Sequence, residues 1–292
     1  MNFKEELNLK TQEIEQLIRR YLPKEEGFAS TLARAMNYSM LAGGKRLRPL
    51  MMQEVYRMFG GTQRVIEPFM VAMEMIHTHS LIHDDLPALD NDEYRRGRET
   101  TWKVFGEDMG VISGAALLNE VALSGFELTD RTERVVLALR VLAAKTGMYG
   151  MLGGQSVDVE NDRKPLDLQL LDYIYENKTS ALMEASMMVG AILAGAENTK
   201  IRQVEKAAGC VGLAFQIEDD ILDVTSTQEE LGKPIHSDEK NHKTTYVTLK
   251  GIENAQREVE RLSQEAIETF DGLEEKNEFL RTLIQELVNR KK

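Results

Sequence analysis

The chain has a single cysteine, Cys210, so no intrachain disulfide can form and a reducing compartment is expected. Its six prolines, at positions 23, 49, 68, 87, 165 and 234, all fall where segments would begin or end. No Ser/Gly/Pro-rich linker or low-complexity stretch interrupts the 292 residues, and a single domain over 1–292 is the expectation. No Gly-x-Gly-x-x-Gly follows a strand-like run and no phosphate-binding P-loop is present, which disfavours a nucleotide-binding α/β fold. The uncharged stretch Ala185–Ala196 is shorter than the roughly 20 apolar residues a bilayer requires. The opening segment Met1-Asn2-Phe3-Lys4-Glu5-Glu6 is polar and unlike a signal peptide, so a cytoplasmic protein without a membrane span is expected. Lys and Arg are outnumbered 36 to 48 by Asp and Glu, for a net charge of −12. That balance argues against nucleic acid as a partner, where affinity is led by neutralising phosphates.

Strand-like alternation is scarce too. Helical periodicity in Met, Leu, Ala, Glu and Lys dominates, and the fold class read from it is all-α. Helices are expected over about 4–20, 27–59, 69–86, 111–129, 132–153, 167–178, 180–195, 199–224 and 251–290.

What the chain does have is carboxylate in two dense clusters. One is Asp84-Asp85-Leu86-Pro87-Ala88-Leu89-Asp90; the other is Asp219-Asp220-Ile221-Leu222-Asp223. Each ends an apolar, helix-like run. Carboxylates packed so closely repel one another unless cations neutralise them. Oxygen donors without cysteine favour Mg²⁺, which keeps several waters and shares its other positions with phosphates. One such cluster alone is most often a solvated acidic face. Here basic strings accompany both: Gly43-Gly44-Lys45-Arg46-Leu47-Arg48-Pro49 upstream, Tyr94-Arg95-Arg96-Gly97-Arg98 after the first cluster, and Leu231-Gly232-Lys233-Pro234 with Lys240 and Lys243 after the second. Two acidic clusters facing each other would cage a diphosphate, and the combination reads as diphosphate chemistry. Spacing adds detail. His77 and Asp84 are seven apart on one helix face, Asp219 and Asp223 are i,i+4 neighbours, and Gln216 shares their face. The interval to Asp90 lets it return from the turn that follows Asp85.

The strings GGKRLRP (43–49), EMIHTHSLIHDDLPALDND (74–92), RRGR (95–98), GGQSVD (153–158), KTSALM (178–183), FQIEDDILDVT (215–225) and LGKP with SDEKNHKTTYVTL (231–249) resemble those of the trans-prenyltransferases. Among these short-chain isoprenyl diphosphate synthases, the bacterial farnesyl and geranylgeranyl diphosphate synthases are the nearest in pattern. The resemblance runs from about Ala35 to about Leu249, with motifs in the family's order. It implies a bundle of about ten or more helices around a central cavity, a homodimer, and Mg²⁺-assisted joining of isopentenyl diphosphate to dimethylallyl or geranyl diphosphate. On the order of three ions per site, with Mn²⁺ able to substitute, are implied with it.

By the same resemblance Asp84, Asp85, Asp90 and Asp219 ligate Mg²⁺, while Asp220 and Asp223 act through metal-bound water. Arg95, Lys178, Lys233 and Lys243 match residues that clasp the allylic diphosphate. Gly44, Lys45, Arg48, His77 and Arg96 match the isopentenyl diphosphate site, which the family binds without metal. Thr179 and Gln216 match polar groups facing the reacting carbons, and Gln155 and Asp158 match a string lining the cavity. His79, with the small Ser80 beside it, falls where chain length is set, and its bulk implies farnesyl diphosphate (C15), with the C20 geranylgeranyl product as alternative. Some positions depart from the pattern: Glu99 stands for proline, Trp102 and Asn177 for histidine, and Ala115 for a carboxylate. A terpene cyclase would not need the GGKRLRP and RRGR cations. A non-catalytic subunit of a heteromeric synthase would not need both aspartate clusters complete.

Overall fold

The computed structural model describes residues 2–126, 133–226 and 243–288, which fall into two compact units. Unit 1 comprises 1–53 with 62–139, and unit 2 comprises 54–61 with 140–292.

Unit 1 begins with α1 (Phe3–Tyr21), whose start is fixed by a capping box between Asn2 and Glu5. Next come α2 (Ser30–Met40) and α3 (Leu47–Met58), the latter continuing into unit 2. A single helix over 27–59 was expected. The Gly43-Gly44-Lys45-Arg46 loop breaks it, because Gly43, Gly44 and Arg46 all take positive φ (81°, 142° and 48°), incompatible with a right-handed helix. The central element is α4 (Glu67–Asp84), with Pro68 in its first turn, where no amide donor is lost. Every residue from Pro68 to Ile76 is buried, as befits a helix apolar on all sides. A two-residue hairpin, β1 (Tyr94–Arg95) and β2 (Arg98–Glu99), was not anticipated. Its tip, Arg96-Gly97, has positive φ at both residues, the tight-turn geometry that suits a short hairpin. α5 (Thr101–Phe105) and α6 (Glu107–Phe126) follow, and α6 packs along α4.

α7 (Glu133–Thr146) runs from unit 1 into unit 2, followed there by α8 (Met151–Glu160) and α9 (Leu168–Ile174). The stretch Glu133–Glu160 is long and apolar enough to cross a membrane by length and composition alone, and 33% of its most apolar window is buried. A turn between Thr146 and Met151 divides it into α7 and α8. α9 passes without a gap through a π-helical segment, Tyr175–Ser180, into α10 (Ala181–Ala194). Gly195, in the left-handed conformation at φ 87°, ends α10. The 28-residue α11 (Asn198–Thr225) is the axis of this unit, packed against α10 and α13. α12 (Tyr246–Lys250), α13 (Ile252–Asp271) and α14 (Glu278–Val288) complete it. α13 buries a clean stripe, Ala255, Val259, Leu262, Ala266 and Phe270, at the three-to-four spacing of an amphipathic helix.

Candidate active site

In unit 1 the first aspartate cluster sits where α4 stops. Asp84 is the last helical residue and Asp85 its C-cap. The chain then turns back, and the Asp90 amide donates to the Asp84 carbonyl at 2.9 Å, returning the backbone of the motif's third aspartate to that of the first. Asp85 is buried, 4% exposed. Arg95, delivered by the hairpin, donates to its Oδ1 at 2.6 Å. Burial pushes the Asp85 carboxyl above its usual value, assisted by Asp92 and Asp90, while Arg95 opposes the shift.

A cationic group surrounds His77 on the same helix. Burial holds the imidazole well below its ordinary pKa, and the guanidiniums of Arg48, Arg96, Arg46 and Arg95 push it further down. Both effects favour the neutral imidazole, the form that offers one donor and one acceptor. Gly44 takes φ 142°, a conformation that side chains rarely adopt, and lies against the Arg96 guanidinium, which also donates to the Gly43 carbonyl. Lys45 is exposed. The buried Nε of Arg48 has no hydrogen-bond partner, an arrangement suited to an anionic acceptor. This site thus unites Gly44, Arg48, His77 and Arg96.

His79 is buried between α4 and α6. Its Nδ1 lies 2.9 Å from the Gly114 carbonyl, which makes Nδ1 the protonated nitrogen. Nε2 is buried without a partner, and the ring meets His83 edge-on at 4.6 Å. Burial, then His83, lowers the His79 pKa. Ser80 donates to the His77 carbonyl at 2.9 Å.

In unit 2 the second cluster lies within the last turns of α11. Asp219 is partly exposed, whereas Asp220 and Asp223 are buried. Asp220 is already engaged: Tyr175 Oη donates to its carboxylate at 2.8 Å and the Tyr246 amide donates at 2.9 Å. Spacing did not reveal this use of Asp220, because both donors are remote in sequence.

Lys178 and Thr179 project from the π-helical segment, a distortion common at functional sites. The expectation of two helices meeting near 179 missed it. Gly212 on α11 allows the widened turn to approach, since a Cβ there would fall 2.6 Å from the Ser180 Cα. Lys178 Nζ binds Asp158 Oδ2 at 2.7 Å, and Thr179 Oγ1 donates to Gln216 Oε1 at 2.9 Å. Lys243 is exposed, and Lys233 lies outside the described residues.

A family model for polyprenyl synthetase matches residues 29–284. The chain belongs to the polyprenyl synthetase family. Over 258 residues it is 42% identical to a farnesyl diphosphate synthase of Geobacillus stearothermophilus, covering 87% of this chain and 86% of that one. It is 45% identical over 253 residues to a putative chloroplastic geranylgeranyl pyrophosphate synthase of Arabidopsis thaliana, covering 84% and 69%. A solved Helicobacter pylori geranyltransferase, complexed with magnesium and isoprenyl diphosphate, superposes with a TM-score of 0.85 at 29% identity over 99% of this chain and 97% of that one.

The donor set fits Mg²⁺, being carboxylate oxygen throughout both clusters. Among the described residues no three acidic, His or Cys side chains converge to hold an ion by themselves. Sites that leave most positions to water and substrate phosphate have this character.

Proposed function

We propose that this polyprenyl synthetase joins isopentenyl diphosphate to dimethylallyl and then geranyl diphosphate, with farnesyl diphosphate as its main product. The carrying observation is the guanidinium group around His77, with the unpartnered Arg48 Nε inside it. A chain-elongating enzyme needs a second diphosphate site built from cations alone, and this group has that composition. Gly44, Lys45, Arg48, His77 and Arg96 hold isopentenyl diphosphate there. Arg95, Lys178, Lys233 and Lys243 hold the allylic diphosphate; Arg95 and Lys178 exchange their present partners, Asp85 and Asp158, for phosphate oxygens.

Asp84, Asp85, Asp90 and Asp219 would hold Mg²⁺, on the order of three ions, with Asp220 and Asp223 in support through metal-bound water; Tyr175 and Tyr246 hold Asp220 in place at the helix end. The metal supplies positive charge that stabilises the departing diphosphate. In the reaction the allylic C–O bond breaks and the electron pair leaves with diphosphate. The isopentenyl double bond then attacks the allylic cation, and a proton passes to the released diphosphate. The Thr179–Gln216 pair turns oxygen dipoles toward developing positive charge. His79 closes the space for the growing chain, and the identity to a farnesyl diphosphate synthase supports C15.

The whole chain acts as one catalytic domain, a reading supported by the continuous family match across both units. It resides in the cytoplasm and pairs with a second copy. Val111 and Ile112 on α6, both 50% exposed, offer apolar surface that a homodimer would cover. Steady-state titration tests the two-site reading. Lys45→Ala and Arg48→Ala should raise KM mainly for isopentenyl diphosphate, and Lys233→Ala mainly for the allylic partner. Equal effects on both substrates would refute it.

A further inference from the structure

Arg46 is the one cation of the Gly43–Pro49 string with no direct use in substrate binding, and it is the most thoroughly held. It is 3% exposed, and its guanidinium reaches three separate elements. Nε donates to Glu15 on α1 at 2.6 Å, Nη1 to Glu74 on α4 at 2.7 Å, and Nη2 to the Met40 carbonyl at the end of α2 at 2.6 Å. Glu74 is itself 2% exposed. Burial disfavours the charge of Arg46, but Glu74 and Glu15 outweigh it and hold the group above its ordinary pKa. A buried ion-pair group is seldom the most stabilising filling for such a space, and its best-attested use is to fix one arrangement.

The backbone says which arrangement is fixed. Arg46 has φ 48°, and its carbonyl accepts the Leu50 amide at 3.1 Å, so it caps the start of α3. Lys45 precedes the cap and Arg48 lies in the first turn after it. Glu74, the anchor on α4, is three residues before His77 and so shares its face. One buried fork thus sets the loop, the start of α3 and the face of α4 against one another.

We infer that Arg46, anchored by Glu74 and Glu15, is the positioning residue of the isopentenyl diphosphate site, aligning Lys45 and Arg48 with His77. This rests on the two-site reading given above. The planar fork is essential, because lysine would keep the charge but could not bind three acceptors in fixed directions.

Glu15→Gln, Glu74→Gln and Arg46→Lys are tested with Arg48→Ala as reference, each substrate being titrated at saturating levels of the other. Losing one charge-assisted bond should raise KM for isopentenyl diphosphate about tenfold, with KM for dimethylallyl diphosphate and kcat within about twofold of the parent. Should Glu74→Gln or Arg46→Lys fail to fold, Glu15→Gln decides, since that side chain is partly exposed. If Arg48→Ala shows the selective rise but the anchor variants change neither KM, or change both alike, the positioning role is overturned and the two-site reading stands. If Arg48→Ala itself leaves KM for isopentenyl diphosphate unchanged, the site reading fails and the inference with it.

Discussion

Asp85 and Asp220 hold the same place in their motifs, the second carboxylate of each cluster, and both are 4% exposed. Their described partners differ. Asp85 faces a guanidinium, Arg95, carried on a hairpin at the surface of unit 1. Asp220 accepts, among its partners, from a tyrosine hydroxyl and a backbone amide inside unit 2. An ionic partner on an exposed hairpin can be exchanged for metal and phosphate. Neutral donors from packed helices fasten a helix end in place. Similar acidic strings therefore carry different tasks, decided by what each carboxylate meets.

The largest effect should come from removing the charge that meets the metal. Asp84→Ala, Asp85→Ala or Asp219→Ala should each lower turnover about a hundredfold or more, with circular dichroism unchanged. Chelating divalent metal should abolish turnover in the parent; near-parental rates after chelation would exclude the metal-dependent reading.

Asp85→Asn against Asp220→Asn sharpens the comparison. The amide at 85 loses the charge needed for Arg95 and metal, and turnover should fall about as far as in the alanine variant. At 220 the amide keeps an acceptor for Tyr175 and Tyr246, so the fall should stay within about tenfold. Matching losses in stopped assays of the two variants would erase the distinction.

A smaller effect is expected for Tyr175→Phe, which removes one donor from Asp220. It should cost about 1–3 kcal/mol of unfolding free energy in denaturant titration, because a buried carboxylate loses a partner. The ring stack with Tyr246, 6.0 Å between centroids, is retained. No change in midpoint would mean that the hydroxyl does not secure this helix end.

The smallest effect on rate, though visible in the product, belongs to His79. His79→Ala should shift products from C15 toward C20 or longer, while His79→Phe should keep C15. Product chromatography decides this. An unchanged distribution from His79→Ala would place the end of the cavity elsewhere, at Ile76 or beyond.

Much of this was legible along the chain. The apolar length of α4, the stripe of α13 and the shared face of Gln216, Asp219 and Asp223 follow from a 3.6-residue repeat, a local property that survives without knowledge of neighbours. So does the return of Asp90 toward Asp84, which the following turn makes over a few residues. Other features did not follow, the short hairpin at Tyr94–Glu99 among them. The expected helix over 27–59 is split because Gly43, Gly44 and Arg46 take positive φ, and Arg46 holds that conformation with partners on α1, α2 and α4. The π-helical segment under Lys178 and Thr179 reflects how closely α11 approaches at Gly212. Asp220 is held by Tyr175 and Tyr246, which arrive from 45 and 26 residues away.

The sequence by itself determined the all-helical class, the two carboxylate clusters and the cations that accompany them, since charge and periodicity are written residue by residue. Tertiary structure alone decided which carboxylate meets a guanidinium, which meets a tyrosine, and which arginine is buried as an anchor. Those outcomes depend on contacts between elements far apart in the chain, and spacing within one element carries no information about its partner.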